Sequence, residues 1–302
     1  MSQSKPDLAR YLQECRSEIE NRLDSLVQPH FDDPAGIFEA MRYSLLAGGK
    51  RLRAILMMAV ADAIVGSHGH VVDAACALEM IHTYALIHDD LPCMDDDDFR
   101  RGKPTNHRVF GEAMAVLAGD GLLTLAFELL SRIPVEPPVT HERLLKCIAE
   151  ISSGAGPEGM VGGQAMDIAS SGVAGITIDR LQIIHSRKTG ALFRAAVRAA
   201  AILSGASEAV LDSLSDYADA LGLAFQIMDD ILDVIGDEKL LGKPTGSDSE
   251  KGKATYPAIV GIEESRRLMD RAVASGHKAL ADAGLSHTIL DEILDYVANR
   301  DH

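Results

Sequence analysis

Leu8, Leu12, Cys15, Ile19, Leu23 and Leu26 fall three or four residues apart, so the first segment of the chain reads as an amphipathic helix. The same spacing predicts helices over Ile37–Leu46, Arg53–Val65 and Val71–Leu91. The second of these four stops at Gly48-Gly49, and Pro92 ends or kinks the last. The pattern resumes over Val109–Ile133, with a break expected near Gly119-Asp120-Gly121. Pro134, Pro137 and Pro138 then mark a connection. Further helices are predicted over Thr140–Ile151, Ile176–Leu203, Ser207–Ile235, Glu263–Ala283 and Ser286–Asn299, with Ser207 and Ser286 placed as N-caps. Period-two runs rich in Val, Ile and aromatics are missing, so the expectation is an all-α domain of roughly ten helices spanning 1–302. One segment breaks the rhythm. Gly236 to Lys253 is polar, with four glycines, four lysines and a proline, and loops of that length commonly carry function.

Two acidic clusters interrupt the apolar pattern. In Leu86–Arg101, LIHDDLPCMDDDDFRR, six aspartates (Asp89, Asp90 and Asp95 to Asp98) lie within ten residues. Asp89 and Asp90 sit near the C-terminal end of a helix, which already carries partial negative charge, and neighbouring carboxylates repel. Pro92 turns the chain and returns Asp95. The second cluster, Asp229, Asp230 and Asp233, interrupts LGLAFQIMDDILDVIG, and Asp229 and Asp233 are one turn apart on one face. A solvated acidic face would carry polar neighbours; these neighbours are apolar. Asp96, Asp97 and Asp98 taken singly read as a solvated run.

Oxygen-only ligands without His or Cys partners suit magnesium or calcium. DDDDFRRG lacks the alternation and glycine of an EF-hand loop. Magnesium takes one or two carboxylates and completes its shell with water and substrate phosphate, so sparse aspartates point to a phosphorylated substrate. Basic residues sit where such a substrate would need them. Gly48-Gly49-Lys50-Arg51-Leu52-Arg53 lies between two helices, Arg100 and Arg101 follow the first acids, Lys188 and Thr189 interrupt HSRKTGALFRAA, and Lys243 and Lys253 lie on the polar loop.

Composition narrows the classes. A formal net charge of −16 argues against nucleic acid or an anionic membrane as the main partner, and 4% aromatics with no Trp leaves little for base stacking. Cys15, Cys76, Cys93 and Cys147 form no CxxC pair, so neither a zinc site nor a disulfide framework is indicated. The first twenty residues are polar and charged, unlike a signal peptide, and no apolar run reaches 18 residues without a charge; a soluble cytoplasmic protein without stable membrane association is expected. Gly154-Ala155-Gly156-Pro157-Glu158-Gly159 matches GxGxxG, but the preceding LLKCIAEIS is helical in pattern rather than a strand, so the match is accidental. GGKRLR lacks P-loop spacing, and no metal-ligand spacing joins His82 and His88.

Taken in order, GGKRLR, IHTYALIHDDLPCMDDDDFRRGKPT, GGQAMD, KTGALF, FQIMDDILD and GKPTGSDSEKGKATYP resemble the trans-isoprenyl diphosphate synthases, of the bacterial farnesyl diphosphate synthase type, from about Tyr43 to Tyr256. The resemblance implies an all-α bundle around a deep central cavity and a homodimer. It implies three magnesium ions held between the aspartate motifs and an allylic diphosphate (dimethylallyl or geranyl). By position, Asp89, Asp95 and Asp229 would be metal ligands, supported by Asp90 and Asp233. Arg100, Lys188, Thr189, Gln226, Lys243 and Lys253 would face the allylic substrate, with Lys188, Thr189, Gln226 and Arg100 acting in catalysis. Gly49, Lys50, Arg53, His82 and Arg101 would hold isopentenyl diphosphate. The implied chemistry is ionisation, condensation and elimination to a fifteen-carbon product, its length set by bulky Tyr84 and small Ala85 one turn before the first acids. A terpene cyclase would not need GGKRLR, and a non-catalytic subunit would be expected to lose one aspartate motif.

Overall fold

The computed structural model describes residues 7–29, 32–33, 35–173, 175–235 and 254–300. Lys243 and Lys253 lie outside them. Among the described residues the fold is all-α, with one two-residue antiparallel hairpin, Phe99–Arg100 with Lys103–Pro104.

The chain opens with α1 (Leu8–Leu26), whose Cys15, Ile19 and Leu23 are buried at the predicted spacing. It continues through α2 (Ile37–Leu45), α3 (Leu52–Val65) and α4 (Val72–Asp89). In α3 an unbroken run from Ala54 to Ala61 is buried, and in α4 Ala74 to Ile81. A helix apolar all round belongs in the centre of a bundle, and these two pack against each other there. Next come α5 (Asn106–Phe110), α6 (Glu112–Ser131), α7 (His141–Ala155) and α8 (Met160–Ser170). Then follow α9 (Ile178–His185), a π-helical turn (Ser186–Gly190) and α10 (Ala191–Leu203), which run on as one rod. The chain ends in α11 (Glu208–Ile235), α12 (Tyr256–Val260), α13 (Ile262–Asp282) and α14 (Ile289–Asn299). The strongest pairings are α11 with α13, α4 with α6 and α7 with α10.

Three expectations change. The break expected at Gly119-Asp120-Gly121 falls at Gly111 instead, between α5 and α6, and α6 is continuous. Gly119 and Gly121 are packing positions: a Cβ on Gly119 would lie 2.2 Å from His88 Nε2, and one on Gly121 3.0 Å from Met41 Sδ. The last helix is capped by Thr288 rather than Ser286, in a capping box with Asp291. α8, α12 and the hairpin carry no long apolar period, so spacing alone does not reveal them.

A buried-edge histidine ties α1 to the end of α3. His68 Nδ1 lies 2.8 Å from Asp62 Oδ2 and its Nε2 3.1 Å from Glu18 Oε2, while the Tyr11 hydroxyl donates to Asp62 at 2.7 Å. Its hydrogen bond to Asp62, joined by that to Glu18, raises the His68 pKa to about 9. A raised pKa means that the stabilisation is complete below the unfolded value of about 6.5 and disappears as pH climbs through about 9. His68→Gln is expected to lower the melting temperature clearly at pH 6, with the gap to wild type closing by pH 10. Thermal unfolding of both proteins across that range checks it.

Candidate active site

The C-terminal end of α4 delivers the first acids. The Asp95 backbone N–H donates to the Asp89 carbonyl at 2.9 Å, so the turn through Pro92 brings Asp95 back to Asp89. Burial raises the Asp89 pKa to about 6, with Asp95 and Asp90 adding to the effect and Lys188 opposing it. Asp90, expected to support a metal, is 3% exposed and pairs with Arg100: Nε donates at 2.9 Å and Nη2 at 2.6 Å. Asp90 and Arg100 border a small recess with Thr83 and Asn106 rather than the main cavity. Asp96 and Asp98 are exposed, Asp98 pairing with Arg108 at 3.0 Å.

The basic groups converge beside α3. Arg53 stacks over the Phe193 ring at 4.5 Å and its Nη1 lies 3.5 Å from His82 Nε2. Burial, and then the nearby Arg53, Arg101, Arg100 and Arg51 cations, hold the His82 pKa well below the usual histidine range, so His82 stays neutral. Arg101 donates to the Gly48 carbonyl from across the first acidic turn. Gly49 has φ +129°, a backbone conformation that favours glycine, and the Arg101 guanidinium lies where a Cβ would be, 2.6 Å from it. Arg51, in contrast, turns inward to Glu79 at 3.3 Å. Lys50 is exposed at the edge of this cluster.

Lys188 and Thr189 sit on the π-helical turn, a distortion common at functional sites. Two close approaches flank it. A Cβ on Gly163 of α8 would lie 2.2 Å from the Lys188 backbone nitrogen, and one on Gly222 of α11 3.1 Å from Gly190 Cα. Lys188 Nζ donates to Asp167 at 2.6 Å, and the Thr189 hydroxyl donates to Gln226 Oε1 at 3.1 Å. On the same stretch of α11, Asp229 pairs with Arg300 and Asp233 is 3% exposed.

A cavity of about 380 Å³ is lined by Arg53, His82, Asp89, Lys188 and Thr189. Tyr84 and Ala85 line it one turn before Asp89, with the Tyr84 ring edge-on to His88 at 5.6 Å. Asp89 of the first acidic cluster lines this largely apolar chamber with Lys188, and the charge of Asp229 in the second cluster reaches Arg53 on its wall. Among the described residues no three acidic, histidine or cysteine side chains form a ready-made metal cage.

A Polyprenyl synthetase family model matches residues 34–289. The chain belongs to the polyprenyl synthetase family. It is similar to the farnesyl diphosphate synthase of Bacillus subtilis (strain 168), 45% identical over 295 residues that cover 98% of this chain and 99% of that protein. It is 42% identical over 300 residues to the geranylgeranyl diphosphate synthase of Cyanophora paradoxa, with 99% of each chain covered. In fold it is similar to an FPP/GFPP synthase from Zymomonas mobilis, with a TM-score of 0.83 and 34% identity over 97% of this chain and 99% of that one.

This polyprenyl synthetase chain also places residues in the site that sequence reasoning left without a role. Asp167 and Gln164 come from GGQAMD on α8: Asp167 holds Lys188, and both amide atoms of Gln164 are buried without partners at the cavity wall. Their motif could have pointed to them. Arg300 carried no such signal. It stacks on Phe225 at 4.0 Å and donates to the Phe225 carbonyl as well as to Asp229.

Proposed function

We propose that this polyprenyl synthetase is a soluble, cytoplasmic prenyltransferase that condenses isopentenyl diphosphate with dimethylallyl and geranyl diphosphate and stops at farnesyl diphosphate. The observation that carries the reading is the meeting, at one cavity, of Asp89 with two separate cationic groups, Arg53 beside His82 and Lys188, while the charge of Asp229 reaches Arg53 from the second aspartate cluster. One diphosphate would need only one such group; a condensation of two needs both. The single domain spans the whole chain in this reading. It acts as a homodimer, supported by half-exposed Val116 and Leu117 on α6.

The donor set fits magnesium. Asp89, Asp95, Asp229 and Asp233 offer oxygen only, and the raised pKa of Asp89 reflects its burial first and the neighbouring carboxylates second. These four residues would hold the metal, with Asp90 acting through Arg100. Bound magnesium would neutralise the diphosphate charge as a Lewis acid. The chain's own groups do the rest. Lys188 at the cavity, with Arg100 reaching in from the neighbouring recess and Lys243 and Lys253 of the polar loop, binds the allylic diphosphate as it departs. Gly49, Lys50, Arg53, Arg101 and neutral His82 orient isopentenyl diphosphate. The apolar cavity excludes water from the allylic carbocation, and the Thr189 oxygen faces it, backed by Gln226. The carbon–oxygen bond breaks with its electron pair on the departing diphosphate, and the isopentenyl double bond attacks the cation. Released pyrophosphate takes the final proton. Incubation with magnesium, dimethylallyl and isopentenyl diphosphates, followed by product identification, tests the reading; no prenyl product overturns it.

Chain length rests on α4. Tyr84 lies five residues before Asp89, about 7.5 Å along the helix axis. It is 7% exposed, wedged against His88, which is itself seated over Gly119. That stack makes a firm floor and favours fifteen carbons over the twenty of a geranylgeranyl synthase. Tyr84→Ala is expected to lengthen the product to twenty carbons or more, and Ala85→Phe to shift it toward ten. Chromatography of the dephosphorylated alcohols checks both; an unchanged product from both variants places the floor elsewhere.

A further inference from the structure

In the second acidic cluster, Asp230 stands apart from Asp229 and Asp233. It is 2% exposed, and its two carboxylate oxygens accept from two different directions. Oδ2 accepts from the Tyr256 backbone N–H at 2.9 Å, one of the donors that the start of α12 leaves without a helical partner. Oδ1 accepts from Gln226 Nε2 at 2.9 Å, one turn back along α11. Gln226 Oε1 in turn accepts from the Thr189 hydroxyl at 3.1 Å, and Thr189 lines the cavity.

We propose that Asp230 is a positioning residue that sets the polarity of the cavity wall through Gln226 and Thr189. A side-chain amide is nearly symmetric in shape and can sit either way round. A hydroxyl beside it does not choose, because it donates or accepts equally well. An ionised carboxylate does choose, because it only accepts. With the Tyr256 N–H fixed by the backbone, Asp230 compels Gln226 to present its NH2 inward and its carbonyl oxygen to Thr189. The Thr189 hydrogen is then taken up by Gln226, and its oxygen lone pairs are left for the cavity. The wall therefore offers negative dipole ends, as a carbocation requires. Resting as it does on the prenyl-transfer reading, the inference adds how the wall's polarity is chosen.

Asp230→Asn makes the reverse wall. Its oxygen stays on the Tyr256 N–H, its NH2 faces Gln226, and the Gln226 amide turns over to meet it. Gln226 then donates to Thr189, whose hydrogen swings toward the cavity. The expected result is a kcat lower by roughly 10- to 100-fold, as for loss of a preorganised dipole, with both Michaelis constants and the magnesium half-saturation within about twofold of wild type. In a Gln226→Ala background Asp230→Asn should cost nothing further, because nothing is left to turn. Calorimetry supplies a reading that needs no turnover. An ammonium analogue of the allylic diphosphate should lose its advantage over an uncharged analogue of the same shape. A tenfold higher magnesium requirement with the charge preference intact would make Asp230 a metal ligand and overturn the proposal. So would losses that simply add in the double variant.

Should Asp230→Asn not fold, the wild-type protein still answers. The Gln226 side-chain amide, assigned in a 15N-glutamine-labelled sample by its loss in Gln226→Ala, should show a nuclear Overhauser effect to the Tyr256 amide proton. An effect to the Thr189 side chain in its place refutes the orientation. A wild-type enzyme without prenyl-transfer activity would remove the proposed function while leaving this amide measurement to stand or fall separately.

Discussion

Asp89→Ala and Asp229→Ala will each lower kcat by roughly a thousandfold or more, the scale of removing a central electrostatic stabiliser. Excess EDTA will abolish turnover of the wild-type protein, and magnesium will restore it. The reason lies in what the two clusters cost when nothing balances them. Asp89 ends a helix, where the backbone already presents partial negative charge, and burial beside Asp95 and Asp90 holds its pKa at about 6. Such a group is costly to keep ionised at neutral pH in a largely apolar cavity, and a divalent cation would reverse the cost. Asp229 occupies the other cluster and meets Arg300. Removing either carboxylate takes away a proposed ligand that its neighbours cannot replace, because Asp90 is committed to Arg100 and Asp230 to Gln226 and Tyr256. Initial rates over a magnesium titration, with circular dichroism to confirm folding, give the measurement. Near-wild-type turnover of either variant, or of the protein in EDTA, would remove the metal from the mechanism.

Arg53→Ala and Lys188→Ala will separate the two diphosphate subsites. Each removes a charge-assisted contact worth about 2–3 kcal/mol when shielded from water, a loss of about 30- to 150-fold. For Arg53→Ala the loss should fall mainly on the Michaelis constant for isopentenyl diphosphate. Its guanidinium is fixed by Phe193 on one side and neutral His82 on the other, so the charge is presented from a rigid position. For Lys188→Ala the loss should fall on the allylic side. Asp167 holds the ammonium at 2.6 Å on the π-helical turn, beside Thr189 and within reach of Asp89. Asp167 is only one-fifth exposed, so removing Lys188 also leaves a carboxylate short of its partner. Varying each substrate against a saturating concentration of the other distinguishes the two. Equal effects of both variants on both substrates would merge the subsites into one.

Much of this molecule is legible along the chain, because the relevant physics is local. Residues three and four apart meet on one helix face, so the spacing of Leu8, Leu12, Cys15, Ile19, Leu23 and Leu26 yields α1 from Leu8 to Leu26 without reference to anything else. A carboxylate is costly in an apolar run wherever that run packs, so the two aspartate clusters declare themselves. The return of Asp95 to Asp89 likewise depends only on the turn through Pro92. Direction and distance are another matter. Asp89 and Asp90 are adjacent and chemically identical, yet one lines the cavity and the other pairs with Arg100, because about 100° of helix rotation separates their side chains. Asp230 differs from Asp229 for the same reason, and its partner Tyr256 is 26 residues away. Arg300 meets Asp229 across 71 residues, and Gly163 admits the Lys188 backbone because α8 packs on the π-helical turn. Residue type and local period thus determined where acids, bases and helices lie. Which acid lines the cavity, pairs with a cation or turns to the core was decided by the packing of helices far apart in sequence, since only that packing sets where each side chain points.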